Sequence, residues 1–73
     1  MKRPILLVED DRDLSRILSE QFIAAGHPVF LCEDLKTYRS LEVSDFLAAI
    51  VDLNLPDGSG FDILKSLKIQ RSL

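Results

Sequence analysis

Cysteine and methionine each occur once in these 73 residues, and glycine and proline three times each. A lone Cys32 excludes an intramolecular disulfide, the usual staple of small secreted domains, so a reducing compartment fits best. So little glycine and proline, against 47% hydrophobic residues, excludes disordered and collagen-like chains. Positive charge is also scarce: nine basic residues face twelve acidic ones, for a net charge of -3. No basic stripe appears, which argues against direct nucleic-acid binding and against an anionic membrane surface. Long apolar runs are missing too. Ile5 to Val8 stops at Glu9-Asp10-Asp11, short of the roughly 7–15 residues of a signal-peptide core and of a membrane span. The chain is therefore expected to be cytoplasmic and soluble. Its length allows one small domain, since cores below roughly 70–80 residues seldom supply more than about 3–5 kcal/mol.

Three short apolar runs organise the chain: Ile5 to Val8, Val29 to Cys32 and Phe46 to Val51. They are continuous rather than alternating, as strands buried on both faces of a parallel sheet require. Between the first two, Leu14, Ile17, Leu18, Phe22 and Ala25 recur at helical spacing from Asp13. Asp11 or Asp13 can cap that helix, and Gly26 followed by Pro28 ends it. Asp34 to Val43 predicts a short second helix with Asp34 as cap. Asn54 to Gly60 is a dense turn signal, after which Phe61, Leu64, Leu67 and Lys68 resume helical spacing. The order β-α-β-α-β-α implies an α/β fold with a parallel sheet and right-handed crossovers.

Both 1-2-3 and 2-1-3 strand orders fit this pattern. Strand one ends in Glu9-Asp10 and strand three in Asp52. Sites in open α/β sheets form beyond the carboxyl ends of strands where the order reverses. Order 2-1-3 makes strands one and three neighbours and brings both acidic ends into one crevice. Converging carboxylates repel one another, which raises their proton affinity unless a cation neutralises them. With oxygen donors and no His or Cys, magnesium suits the site better than zinc. A carboxylate beside magnesium can also attack phosphorus and form an aspartyl phosphate.

The run Lys2 to Asp11, with Glu9-Asp10-Asp11 after the first strand, stands about forty residues before Asp52-Leu53-Asn54-Leu55-Pro56-Asp57-Gly58-Ser59-Gly60. Together these motifs resemble the response regulator receiver domain of two-component signalling, over essentially the whole chain. The resemblance implies a flavodoxin-like fold, here three parallel strands in order 2-1-3 with three helices. It implies that Asp52 is the phosphoacceptor and that Mg is held by Asp10, Asp52 and the backbone carbonyl of Asn54, with Glu9 in its outer shell. Pro56 and Gly60 would shape the turn into the third helix. The phosphoryl donor would be a histidine kinase or histidine phosphotransfer protein, docking chiefly on the first helix. Any enzymatic activity would be self-phosphorylation at Asp52.

Receiver domains carry two further strands, with a Ser or Thr ending the fourth, and a Lys ending the fifth along with an aromatic switch residue; the 73 residues stop before them. The expectation is thus a truncated receiver at residues 1–73, with no output domain and with phosphorylation impaired. The alternative is a phosphorylation-independent half-receiver that pairs with another receiver or forms a homodimer through the strand-three edge, giving a six-stranded 2-1-3-3-1-2 sheet.

Other readings are weaker. Asp11 suits a helix cap better than a ligand, and Asp52 can open an Asx turn toward Asn54. An EF-hand loop starting at Asp52 fails at Pro56, Asp57 and Ile63. The third glycine of a dinucleotide fingerprint starting at Gly58 would fall at Ile63. His27 is assigned to a surface turn, Cys32 to strand packing as a small hydrophobe, and Tyr38 to helix-to-sheet packing.

Overall fold

The computed structural model describes residues 3–42 and 45–67. Lys2 of the first motif, Val43 of the second helix and Lys68 of the third lie outside them. Three parallel strands, β1 (Ile5–Val8), β2 (Val29–Cys32) and β3 (Ala48–Val51), form a sheet in the order β2-β1-β3. The registers run from Ile5 opposite Val29 and Ala48 to Val8 opposite Cys32 and Val51. The order is the one that the acidic strand ends favour.

The first helix, α1 (Arg12–Ala24), starts on Asp11, whose side chain accepts from the N–H groups of Asp13 and Leu14. That settles the choice between Asp11 and Asp13 as cap. Gly26 follows the helix at φ 93°, a left-handed conformation that glycine adopts without a β-carbon clash. Leu18 and Phe22 are half-buried and Ser15 is buried, whereas Leu14 and Ile17 are exposed. The expected apolar stripe is therefore turned, with a small residue at the closest approach.

Two expected boundaries need correction. The second helix, α2 (Leu35–Arg39), has five residues instead of spanning Asp34 to Val43, because Ser40 closes it by donating its hydroxyl to the Thr37 carbonyl. Strand three begins at Ala48 rather than Phe46, because its partner β1 begins at Ile5. Leu47 still donates to the Pro4 carbonyl, and Phe46 turns its ring edge-on to Phe30, with centroids 5.8 Å apart. Asn54 to Gly60 is also more regular than a loop. Strands β4 (Asn54–Leu55) and β5 (Gly58–Ser59) pair antiparallel around Pro56 and Asp57, and α3 (Gly60–Ser66) follows with Ser59 as cap.

The core lies on the sheet face opposite α1. Leu6, Val8 and Cys32 are fully buried there against Leu35 of α2, Leu55 of the hairpin and Ile63 of α3. Successive strand residues point to opposite faces, so Leu7 faces α1, flanked in register by Leu31 and Ile50. Leu7 is fully buried, while Leu31 and Ile50 remain 42% and 39% exposed. Burial on both faces therefore holds for central β1 and not for its neighbours. Among the described residues no helix is long and apolar enough to cross a membrane.

Candidate functional site

Glu9 and Asp52 each stand one residue past the end of a strand. The Glu9 N–H donates to the Cys32 carbonyl at 2.9 Å, and the Asp52 N–H to the Val8 carbonyl at 2.8 Å. These bonds extend both ladders by one rung and fix where the two side chains leave the sheet. Asp10 follows in the bend leading to α1, its N–H donating to Glu9 Oε2 at 3.0 Å. One carboxylate oxygen from each of Glu9, Asp10 and Asp52 lies within 4.8 Å of the other two.

Three carboxylates at that spacing repel one another, by about 1 kcal/mol per pair where water screens them. The ion pairs among the described residues are Arg3 with Asp45 and Arg12 with Glu33, so no side-chain cation bridges to the cluster. The proton affinities of two of the three move in opposite directions. Burial of the Glu9 carboxyl, together with its contact to Asp52, pushes Glu9 above the ordinary glutamate range. Asp52 is held below the ordinary aspartate range, first by the Asn54 backbone N–H and then by Glu9. That N–H reaches Asp52 Oδ1 at 3.0 Å, the Asx turn expected from the sequence. The pair is thus polarised, with Asp52 as the more readily ionised member.

An all-oxygen donor set with no ion-paired side-chain cation among the described residues suits a hard divalent cation such as magnesium. The structure brings together Glu9, Asp10 and Asp52, three of the four residues singled out in the sequence. Asn54, the fourth, adjoins them at the start of β4 through its bond to Asp52. The remaining motif residues play structural parts. Asp11 caps α1, and Gly60 lies against the Asp52 backbone carbonyl. His27 sits in the turn before β2, with Nδ1 3.3 Å from the Arg3 carbonyl oxygen. Tyr38 packs on the core and shares a 2.7 Å hydrogen bond with the Ser66 hydroxyl.

Sequence reasoning missed Asp57, treated only as part of a turn. Its carboxylate accepts from the N–H groups of Leu35 at 2.8 Å and Lys36 at 3.0 Å, joining the hairpin tip to the start of α2. No local signal marks that contact, because its partners lie 22 and 21 residues away.

No family model matches the chain. The sensory/regulatory protein RpfC of Xanthomonas campestris pv. campestris is 30% identical over 69 residues, covering 92% of this chain and 10% of RpfC. The response regulator SaeR of Staphylococcus aureus is 30% identical over 67 residues, covering 92% of this chain and 29% of SaeR. Among solved structures, the non-phosphorylated HemR receiver domain from Leptospira biflexa superposes with a TM-score of 0.78 at 34% identity, over 88% of this chain and 52% of that one. The chain thus spans less than a third of these curated relatives and about half of the receiver-domain structure.

Proposed function

We propose, from the premise that this chain belongs to the response regulator receiver domains and corresponds to the N-terminal portion of their fold, that it is a phosphoacceptor of a histidine-to-aspartate relay. The convergence of Glu9, Asp10 and Asp52 at the carboxyl ends of adjacent strands carries this reading. Asp52 is the nucleophile. Its carboxylate is charged at neutral pH, as an ordinary aspartate would be, and is held further below the ordinary range, first by the Asn54 N–H on Oδ1. Attack on phosphorus forms the aspartyl O–P bond. The P–N bond of the donor phosphohistidine breaks, and its electron pair returns to the imidazole.

Asp10, Asp52 and the Asn54 carbonyl would hold Mg, with Glu9 in its outer shell. When bound, the cation offsets charge on the incoming phosphoryl oxygens. The partner is a histidine kinase or a histidine phosphotransfer protein. Incubation with magnesium and acetyl phosphate should add one phosphoryl mass to the chain, abolished by Asp52→Ala. Absence of that gain, or its persistence in the variant, overturns the proposal.

The second reading is an interaction module that pairs with a second copy through β3. In its favour, the outer edge of β3 is unpaired among the described residues, with Leu47 and Ile50 exposed beside it. Sedimentation at low micromolar concentration decides it, and a stable monomer refutes it.

A further inference from the structure

Helix α2 is one turn long, too short to hold itself together, and two carboxylates organise its first turn. Asp34, its own cap, takes the Thr37 N–H at 2.7 Å. The other two donors, Leu35 and Lys36, go to Asp57 at the hairpin tip. A second observation fixes the same contact: a β-carbon on Gly58 would overlap Leu35 Cδ1, so the hairpin lies flush on that side chain. Leu55 in the other arm is buried in the same cluster as Leu35.

Each arm of the hairpin is two residues long. Between the anchored tip and Asn54 there is no slack to absorb a displacement. Asn54 pairs with Ser59, and its N–H orients the Asp52 carboxylate. We propose that Asp57 is a positioning residue: by clamping the hairpin to α2 it sets the place of Asn54, and through Asn54 that of Asp52, for a divalent cation. The coupling is reciprocal, so a cation at the site tightens the first turn of α2. This rests on the reading of Glu9, Asp10, Asp52 and Asn54 as a cation site.

Magnesium titrations followed by amide NMR test it, using the full chain and the variants Asp57→Ala, Asp57→Asn and Ser66→Ala. In the wild type, magnesium should move the Asp10, Asp52 and Asn54 amides and slow hydrogen exchange at Leu35 and Lys36. Asp57→Ala, which touches no ligand directly, should weaken magnesium affinity by about threefold to tenfold, at or below the low end of what groups bonded to ligands contribute, and remove the response at Leu35 and Lys36. Asp57→Asn, which keeps one acceptor oxygen, should fall between. Ser66→Ala cuts the Tyr38 tie between α2 and α3 without touching the clamp, and should leave affinity within about twofold.

Unchanged affinity in Asp57→Ala, or equal weakening in Ser66→Ala, overturns the clamp. If wild-type Asp10, Asp52 and Asn54 ignore magnesium, the cation reading fails by itself. The clamp is then decided without metal: Asp57→Ala must shift the Asn54 amide and speed its exchange, and an unmoved Asn54 refutes it.

Discussion

Gly60 stands against the backbone of Asp52 so closely that a β-carbon at position 60 would overlap the Asp52 carbonyl oxygen and come within 2.9 Å of Val51 Cγ1. The first residue of α3 is thereby pressed onto the end of β3, and the Gly60 N–H closes the approach with a 3.0 Å bond to the Leu53 carbonyl.

For Gly60→Ala two effects compete. Alanine gains at most about 1 kcal/mol of helix propensity over glycine, whereas forcing a methyl group against backbone atoms costs about 1–3 kcal/mol. The nearest atoms it would meet, the carbonyl oxygen and carbon of Asp52, are main chain and cannot swing aside, so the clash wins. Thermal unfolding should show a net loss of about 1 kcal/mol, a melting point lower by about 4–8 °C. A melting point equal to the wild type's would mean that α3 shifts freely relative to Asp52.

Leu6→Ala should cost about 2–5 kcal/mol, because Leu6 is fully buried at the centre of the core. Ile23→Ala, at a side chain 60% exposed, should change stability by no more than about 0.5 kcal/mol. Urea titrations of the two variants should separate them clearly. Similar midpoints would contradict the placement of the core opposite α1.

Asp34 predicts an acid limb of stability. Hydrogen bonds from the Thr37 side chain and backbone hold its carboxyl below the ordinary value of 3.8. A depressed carboxyl contributes stability above the unfolded value and loses it as pH falls through the folded one. The window therefore lies below about pH 3.8. Melting curves of Asp34→Asn should converge on the wild type's at the acid end of that window, and a constant offset would show that the carboxylate charge contributes nothing.

Cys32 predicts the opposite limb. Burial, then the charge of Asp34, raises its thiol above the ordinary 9.0. The unfolded thiol ionises first, so this contribution is complete below pH 9.0 and lost as pH rises through the folded value. Thiol-reactive disulfide reagents should modify the native protein at least a hundredfold more slowly than the urea-unfolded chain, about the ratio expected if attack awaits an opening worth about 3 kcal/mol. Labelling at comparable rates would place Cys32 at the surface.

The sequence made β1 and β2 legible to the residue, because each apolar run ends at a charged or turn-forming neighbour. It overextended β3 at Phe46, since strand length depends on the partner, and Ile5 lies in another segment. The same limit applied to α2, whose end is a hydroxyl-to-carbonyl bond at Ser40 that only closed geometry reveals. At the site, Glu9, Asp10 and Asp52 could be found because strand ends bring acids together once the strand order is chosen. Asp57 could not: it works on amides in a different element, and neither periodicity nor motif spacing records such a pairing.

The parallel ladder between β1 and β3 is four rungs long, from Ile5 opposite Ala48 to Val8 opposite Val51. Burial of Leu6 and Val8, with Ala49 and Val51 packed on the same core, favours this register, but neither strand carries a bulge or a polar marker, and both are runs of aliphatic side chains. A slip of one rung would carry Asp52 about 3.3 Å along the sheet and turn it to the other face. The acidic triplet therefore works as a vernier: its marks coincide only when the aliphatic scales are aligned. A cation that needs the coincidence would bind the aligned molecule alone and draw misaligned ones toward it by mass action.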